Sequence, residues 1–150
     1  MKSITIIQPW ATLIAVGEKG FETRSWATKY RGELAIHAGK KVDREACQEP
    51  EIRAALERHG FTADNLPTGG VLAIVNLAEV YRITDVSENN SSAYVINDTG
   101  KVDAVIDTKE YAFGWYEEGR YAWELTDVKQ LPEPIPAKGQ QGLWNWEVQP

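Results

Sequence analysis

A chain of 150 residues, 43% hydrophobic and 25% charged, has the makeup of one globular domain that buries a core without covalent staples, which excludes disorder as its default state. Its net charge of −6 argues against a protein that grips long nucleic acid through many phosphates. One cysteine and two histidines give neither a disulfide framework nor a zinc spacing, and a sequence with no basic-then-apolar leader and no long apolar run predicts a cytoplasmic protein, neither exported nor membrane-embedded, with no metal or cofactor.

In chain order, Ser3 to Gln8 is short and β-branched and predicts a first strand. Gln8 to Val16 reads as a helix, with Pro9 at its first position and Gly17 able to end it in the left-handed conformation. An extended run from Phe21 to Trp26 puts Glu22, Arg24 and Trp26 on one face and Phe21, Thr23 and Ser25 on the other. Lys19 enters that surface from the preceding turn. Ala27 to Gly32 has turn character and Glu33 to Ala38 resumes as a strand, so a hairpin is expected. On that second strand Leu34, Ile36 and Ala38 share the apolar face, which leaves His37 opposite them. Gly39-Lys40-Lys41 follows, giving an imidazole and two ammonium groups at a strand end, suited to phosphate, to a base edge or simply to solvent.

Asp43 caps a helix that Pro50 interrupts or restarts, and Ile52, Ala55, Leu56 and His59 recur at i, i+3, i+4, i+7 before Gly60. His59 suits a helix C-terminus, and Cys47 a small buried side chain. Val71 to Ile83 reads as a long central strand, apolar on both sides in its first half. Asp85 to Lys101, rich in Asn, Ser, Asp and Gly, predicts a mobile exposed loop holding one short extended piece at Ala93 to Ile96. Asp107 to Ala112 is a short helix, Gly114 to Gly119 a turn-bounded aromatic piece, and Arg120 to Leu125 a strand. Pro132, Pro134 and Pro136 form an extended connector, and Lys138 to Val148 the closing strand.

Charge is uneven along this chain. Glu18 to Lys41 carries six basic and three acidic residues, a net +3 inside an acidic whole, which suits a small anionic ligand or a short strand. A carboxylate, a guanidinium, an indole and an ammonium converge there on one small region. On spacing alone the same residues describe a solvated face of weak ion pairs. Of the six tryptophans, Trp26 is the candidate stacking platform for a nucleobase, Trp10 fits either role, and Trp115, Trp123, Trp144 and Trp146 are expected in the core.

Gly17, Lys19, Glu22 and Arg24 supply the fixed letters of G-x-K-x-x-E-x-R, and the stretch thereby resembles the ASCH domain family of the PUA-like superfamily. Ile36-His37-Ala38, Gly119-Arg120-Tyr121-Ala122-Trp123 and Gly139-Gln140-Gln141-Gly142-Leu143-Trp144 resemble segments of cointegrator-like ASCH domains in the same order. The resemblance implies an α+β fold, a small mixed β-barrel of PUA-like type with peripheral helices, as a single domain over residues 1–150. It also implies recognition of single-stranded RNA or an exposed nucleobase. Lys19, Arg24 and Lys40 would meet phosphate or base acceptors, Glu22 a base donor and Trp26 a ring face, with His37 beside Lys40.

Two other readings stand beside this one. Family members include amidohydrolases acting on acylated cytidine, similar here at Gly17, Lys19 and Arg24, and a ribonuclease activity is associated with others. In a hydrolase Lys19, Glu22 and Arg24 would be the catalytic residues, Lys19 as nucleophile. Those amidohydrolases carry threonine where this chain has Glu22, and a carboxylate beside Lys19 favours the charged ammonium. The third reading is a protein-interaction module in which Glu22 merely ties helix to strand.

Overall fold

In the computed structural model residues 1–97 and 102–147 are described. Asp98 to Lys101 of the expected loop, and Val148 of the expected closing strand, lie outside them. The elements run β1 (Lys2–Gln8), α1 (Trp10–Ala15), β2 (Phe21–Arg24), β3 (Gly32–Val42), α2 (Pro50–Arg58), β4 (Gly70–Val86), β5 (Ala93–Ile96), β6 (Val102–Ile106), α3 (Thr108–Tyr111), β7 (Tyr121–Pro136) and β8 (Leu143–Asn145). Eight strands form one sheet in the order β2-β7-β4-β3-β1-β8, with β5 pairing β4 and β6. With its few short helices this is a β-rich α+β fold. No helix among the described residues is long and apolar enough to cross a membrane.

The chain divides into two compact units, one of Met1–Glu18, Glu33–Asn76 and Asp127–Pro150, the other of Lys19–Gly32 and Leu77–Thr126. In the first, β1 lies between β3, to which it is parallel, and β8, to which it is antiparallel. The expected hairpin of β2 with β3 does not form. β2 pairs with β7 instead, since both edges of β3 are taken, one by its parallel partner β1 and the other by β4, and a strand inside the sheet can have both of its faces covered. Leu34 through Gly39 are accordingly all buried, and His37 is core rather than surface. Gln8 stabilises the start of α1: its Oε1 accepts from the Thr12 N–H at 2.9 Å while its Nε2 donates to the Thr12 hydroxyl and to the Pro67 carbonyl, each at 2.7 Å. Gly17, at φ +83°, ends that helix as its sequence position predicts. Pro50 restarts rather than interrupts the second helical segment, following a 3-10 turn at Ala46–Gln48 whose Ala46 N–H is held by Asp43. Trp144 and Trp146 bury against Ala35 and Val71.

The proline-rich connector is strand, the second half of β7. Its prolines sit at alternate positions, so their missing N–H groups all fall along one edge and the other edge keeps its donors. The closing strand is shorter than expected, three residues rather than the whole of Lys138 to Val148. In the second unit β5 occupies the predicted Ala93–Ile96, between β4 and β6, and Tyr81, Ile83, Val95, Ile106, Tyr116 and Ala122 form its core. Asp107 caps α3 by accepting from the Glu110 N–H at 2.9 Å.

Candidate functional site

The motif strand is built into the second unit. β2 runs antiparallel to the start of β7 with Glu22 opposite Trp123 and Arg24 opposite Tyr121. Directly opposed residues share a face, so Glu22, Arg24, Tyr121 and Trp123 lie on one side, as the two-residue period of the sequence requires for the first two. The strand ends at Arg24, and Trp26 sits in the bend beyond it. Its half-buried ring packs edge-on against Trp123, centroids 4.9 Å apart and planes at 85°, and its carbonyl accepts from the Trp123 indole N–H at 3.3 Å. Trp26 therefore joins the Glu22 face through Trp123, but much of its ring is committed to packing.

Glu22 and Arg24 form a partly buried ion pair, with Nε at 3.0 Å and the terminal nitrogen at 2.9 Å from the same carboxylate oxygen. Lys19 does not open into a wet hollow. It is 1% exposed, and its ammonium donates to the Phe113 carbonyl at 2.7 Å. Burial pushes the Lys19 amine below the usual lysine range, against the opposing pull of Glu22 and then Glu110, with Arg24 adding a smaller lowering. Desolvation thus outweighs the neighbouring carboxylate that the sequence puts in charge of this lysine. Glu110 shifts the matching way: burial raises it, while Lys19 and the Gly20 and Phe21 N–H groups oppose the rise. Both of its oxygens accept from Gly20 N–H at 3.1 Å, and one from Phe21 N–H at 3.0 Å. No sequence signal marks Glu110, which meets the motif from about ninety positions away.

Three bonds pin the loop that follows α3. Lys19 takes the Phe113 carbonyl, the Thr23 hydroxyl accepts from the Trp115 N–H at 3.0 Å, and Arg120 Nε donates to the Trp115 carbonyl at 3.0 Å. The loop fits closely: a Cβ on Gly114 would stand 2.7 Å from the Tyr116 ring and 3.2 Å from the Thr23 methyl. The result is a Trp115 that is 61% exposed, contrary to the core position expected of it, with the Arg120 guanidinium carbon 4.0 Å from its ring centroid. Glu22 and Arg24 lie close enough to act on the Arg120 charge. A signal for this existed in the sequence: a tryptophan in a Gly-bounded turn has no strand face to bury it. Beside Arg120 in sequence, Tyr121 lines a cavity of about 290 Å³ together with Arg82 and Asn97.

His37 and Lys40 are not brought into this cluster's unit. They belong to the first unit, where both line a cavity of about 870 Å³. His37 is 2% exposed, and both its ring nitrogens are engaged, Nδ1 with the Thr5 hydroxyl at 3.2 Å and Nε2 with the Ala137 carbonyl at 2.7 Å. Among the described residues no group of three or more His, Cys, Asp and Glu is poised to hold a metal ion.

The model of a protein family described as the ASCH domain matches residues 4–135. Activating signal cointegrator 1 of Mus musculus and that of Homo sapiens are each 30% identical to this chain over 102 residues, 61% of this chain and 18% of the relative. The chain thus aligns with less than a fifth of the length of these relatives. A crystal structure of a mutant ZmASCH protein from Zymomonas mobilis is similar with a TM-score of 0.47 and 16% sequence identity, covering 90% of this chain and 74% of that one.

Proposed function

This chain belongs to the ASCH domain family, and on that footing we propose that it recognises an exposed nucleobase or a short stretch of single-stranded RNA around the G-x-K-x-x-E-x-R strand. The observation that carries the reading is Trp115, an indole held open to solvent with a guanidinium on one ring face. The other face is where a base would stack, a contribution of roughly 1–3 kcal/mol per base. Arg120 supplies the cation at the ring, and Arg24 and Glu22, close enough to act on the Arg120 charge, are the further donor and the acceptor that this proposal assigns to a bound base. Lys19 acts in this proposal as a positioning residue, through the Phe113 carbonyl, rather than as a contact to phosphate. A net charge of −6 suits a short ligand over a long one. The PUA-like barrel and the cytoplasmic location expected from the sequence belong to the same proposal.

Anisotropy of labelled single-stranded oligoribonucleotides tests it. Trp115→Ala is expected to weaken binding about fivefold to a hundredfold with an unchanged melting temperature, because the ring it removes is mostly exposed. Equal binding by wild type and variant refutes the assignment.

A hydrolytic reading has one observation in its favour: burial shifts Lys19 toward the neutral amine that a nucleophile requires. That amine is also shut away against Phe113, which puts this reading second. Turnover of acylcytidine that disappears in Lys19→Met would reverse the order. A protein-interaction module predicts neither turnover nor oligonucleotide binding.

A further inference from the structure

We propose that the first unit holds a second, independent ligand site, the cavity beside His37, and that it takes a phosphate monoester carrying a flat organic body, of which a nucleoside monophosphate is the simplest example. At about 870 Å³ the cavity falls within the range of small-molecule sites.

Its floor is rigid and already satisfied. The Ala137 carbonyl only accepts, so His37 Nε2 carries the ring proton that reaches it at 2.7 Å. His37 Nδ1 is then an acceptor for the Thr5 hydroxyl proton, while the Thr5 oxygen accepts from the Trp144 indole N–H at 3.1 Å. Every donor in the chain Trp144, Thr5, His37 is used, and the imidazole is left with carbon atoms to offer a ligand. Glycines keep the surroundings close and small: a Cβ on Gly139 would stand 2.7 Å from the Thr5 oxygen and 2.8 Å from His37 Cε1, and one on Gly39 3.2 Å from the Thr5 methyl. Smooth walls of backbone and ring carbon suit a planar body.

The exposed side chains around this floor are of another kind. Lys40 and Lys138 contribute ammonium groups, Gln140 and Gln141 carboxamides, and none of the described lining residues is acidic, in a chain where 22 acidic residues outnumber 16 basic ones. Two cations without a carboxylate match a dianion, and lysine binds phosphate as a point charge. A carboxamide presents a donor and an acceptor together, which is what the edge of a heterocycle reads. A free mononucleotide and the phosphorylated end of a short strand share this chemistry.

Calorimetry and phosphorus NMR with cytidine and adenosine monophosphates, the two nucleosides, inorganic phosphate and a 5′-phosphorylated trinucleotide test the site, using wild type, the double variant Lys40→Ala/Lys138→Ala and Trp115→Ala. Monophosphates are expected to bind at least about tenfold more tightly than nucleosides or inorganic phosphate, and the double variant to lose about tenfold or more. Both lysines are exposed, so the variant keeps its fold, with the melting temperature as control. Repeating the titrations in the Trp115→Ala background, with and without the two lysine substitutions, removes base stacking at the other site; the loss caused by the lysine substitutions should be the same there, which separates failure here from failure of the nucleobase proposal. Tighter binding of the trinucleotide identifies a strand end as the source, and tighter binding of the mononucleotide a free metabolite; both uphold the site. Monophosphate binding that is undetectable, that survives loss of both lysines, or that nucleosides or inorganic phosphate equal overturns it.

Discussion

Replacing Lys19 by methionine isolates the balance on which the motif rests. The substitution keeps the apolar stem and deletes the ammonium and its 2.7 Å bond to the Phe113 carbonyl. Losing that bond costs about 1–3 kcal/mol. Removing one partner of a buried pair costs about 3–5 kcal/mol when a bare charge is left behind, but neither carboxylate is left bare here. Glu22 keeps Arg24 at 2.9 Å, and Glu110 keeps the Gly20 and Phe21 N–H groups. Against the loss stands relief from a charge that burial disfavours, so at neutral pH Lys19→Met should fall short of wild type by no more than about 2 kcal/mol.

The pH dependence is the sharper test. The unfolded chain holds the Lys19 proton up to 10.5, whereas the folded chain releases it earlier. Unfolding therefore takes up a proton between the lowered folded value and 10.5, and wild-type stability gains about 1.4 kcal/mol per pH unit across that window from this group. Below the folded value the contribution is flat. Urea unfolding of both proteins from pH 7 to about 9.5, below the titration of the tyrosines, should show the wild-type advantage growing with pH. An advantage that shrinks with pH would mean that Glu22 and Glu110 stabilise the ammonium by more than its burial costs, and the account of this cluster would be wrong.

Gly114→Ala should lower stability by about 1–3 kcal/mol in thermal unfolding, because its methyl would meet the Tyr116 ring at 2.7 Å and the Thr23 side chain behind it; an unchanged midpoint would mean that the loop yields freely. Tyr116→Phe goes the other way. Its hydroxyl is buried without a hydrogen-bond partner among the described residues, so deletion should be neutral or stabilising by about 1 kcal/mol, and a clear loss by chemical denaturation would contradict that environment. Thr5→Val removes the oxygen joining the Trp144 indole to His37 and should cost about 1–3 kcal/mol, with a shift in Trp144 fluorescence; retention of full stability would show that the network contributes little.

What local chemistry writes into neighbouring residues could be read from the chain alone. Helix α1 ends at Gly17 because the left-handed backbone there favours glycine, α2 buries Ile52, Ala55 and Leu56 because they share a helical stripe, β5 falls on Ala93–Ile96 between polar runs, and Glu22 and Arg24 share a face because strands alternate. The ASCH motif was legible for the same reason, being short and contiguous. Tertiary structure decided the rest: that β3 lies beside β1 rather than β2, that Lys19 is sealed against a carbonyl 94 positions away, that Glu110 holds the motif's backbone, that Trp115 faces water, and that His37 serves a floor in the first unit. Each of these depends on which distant segment removes water from a side chain. Desolvation is a property of the assembled neighbourhood, and no window of sequence contains it.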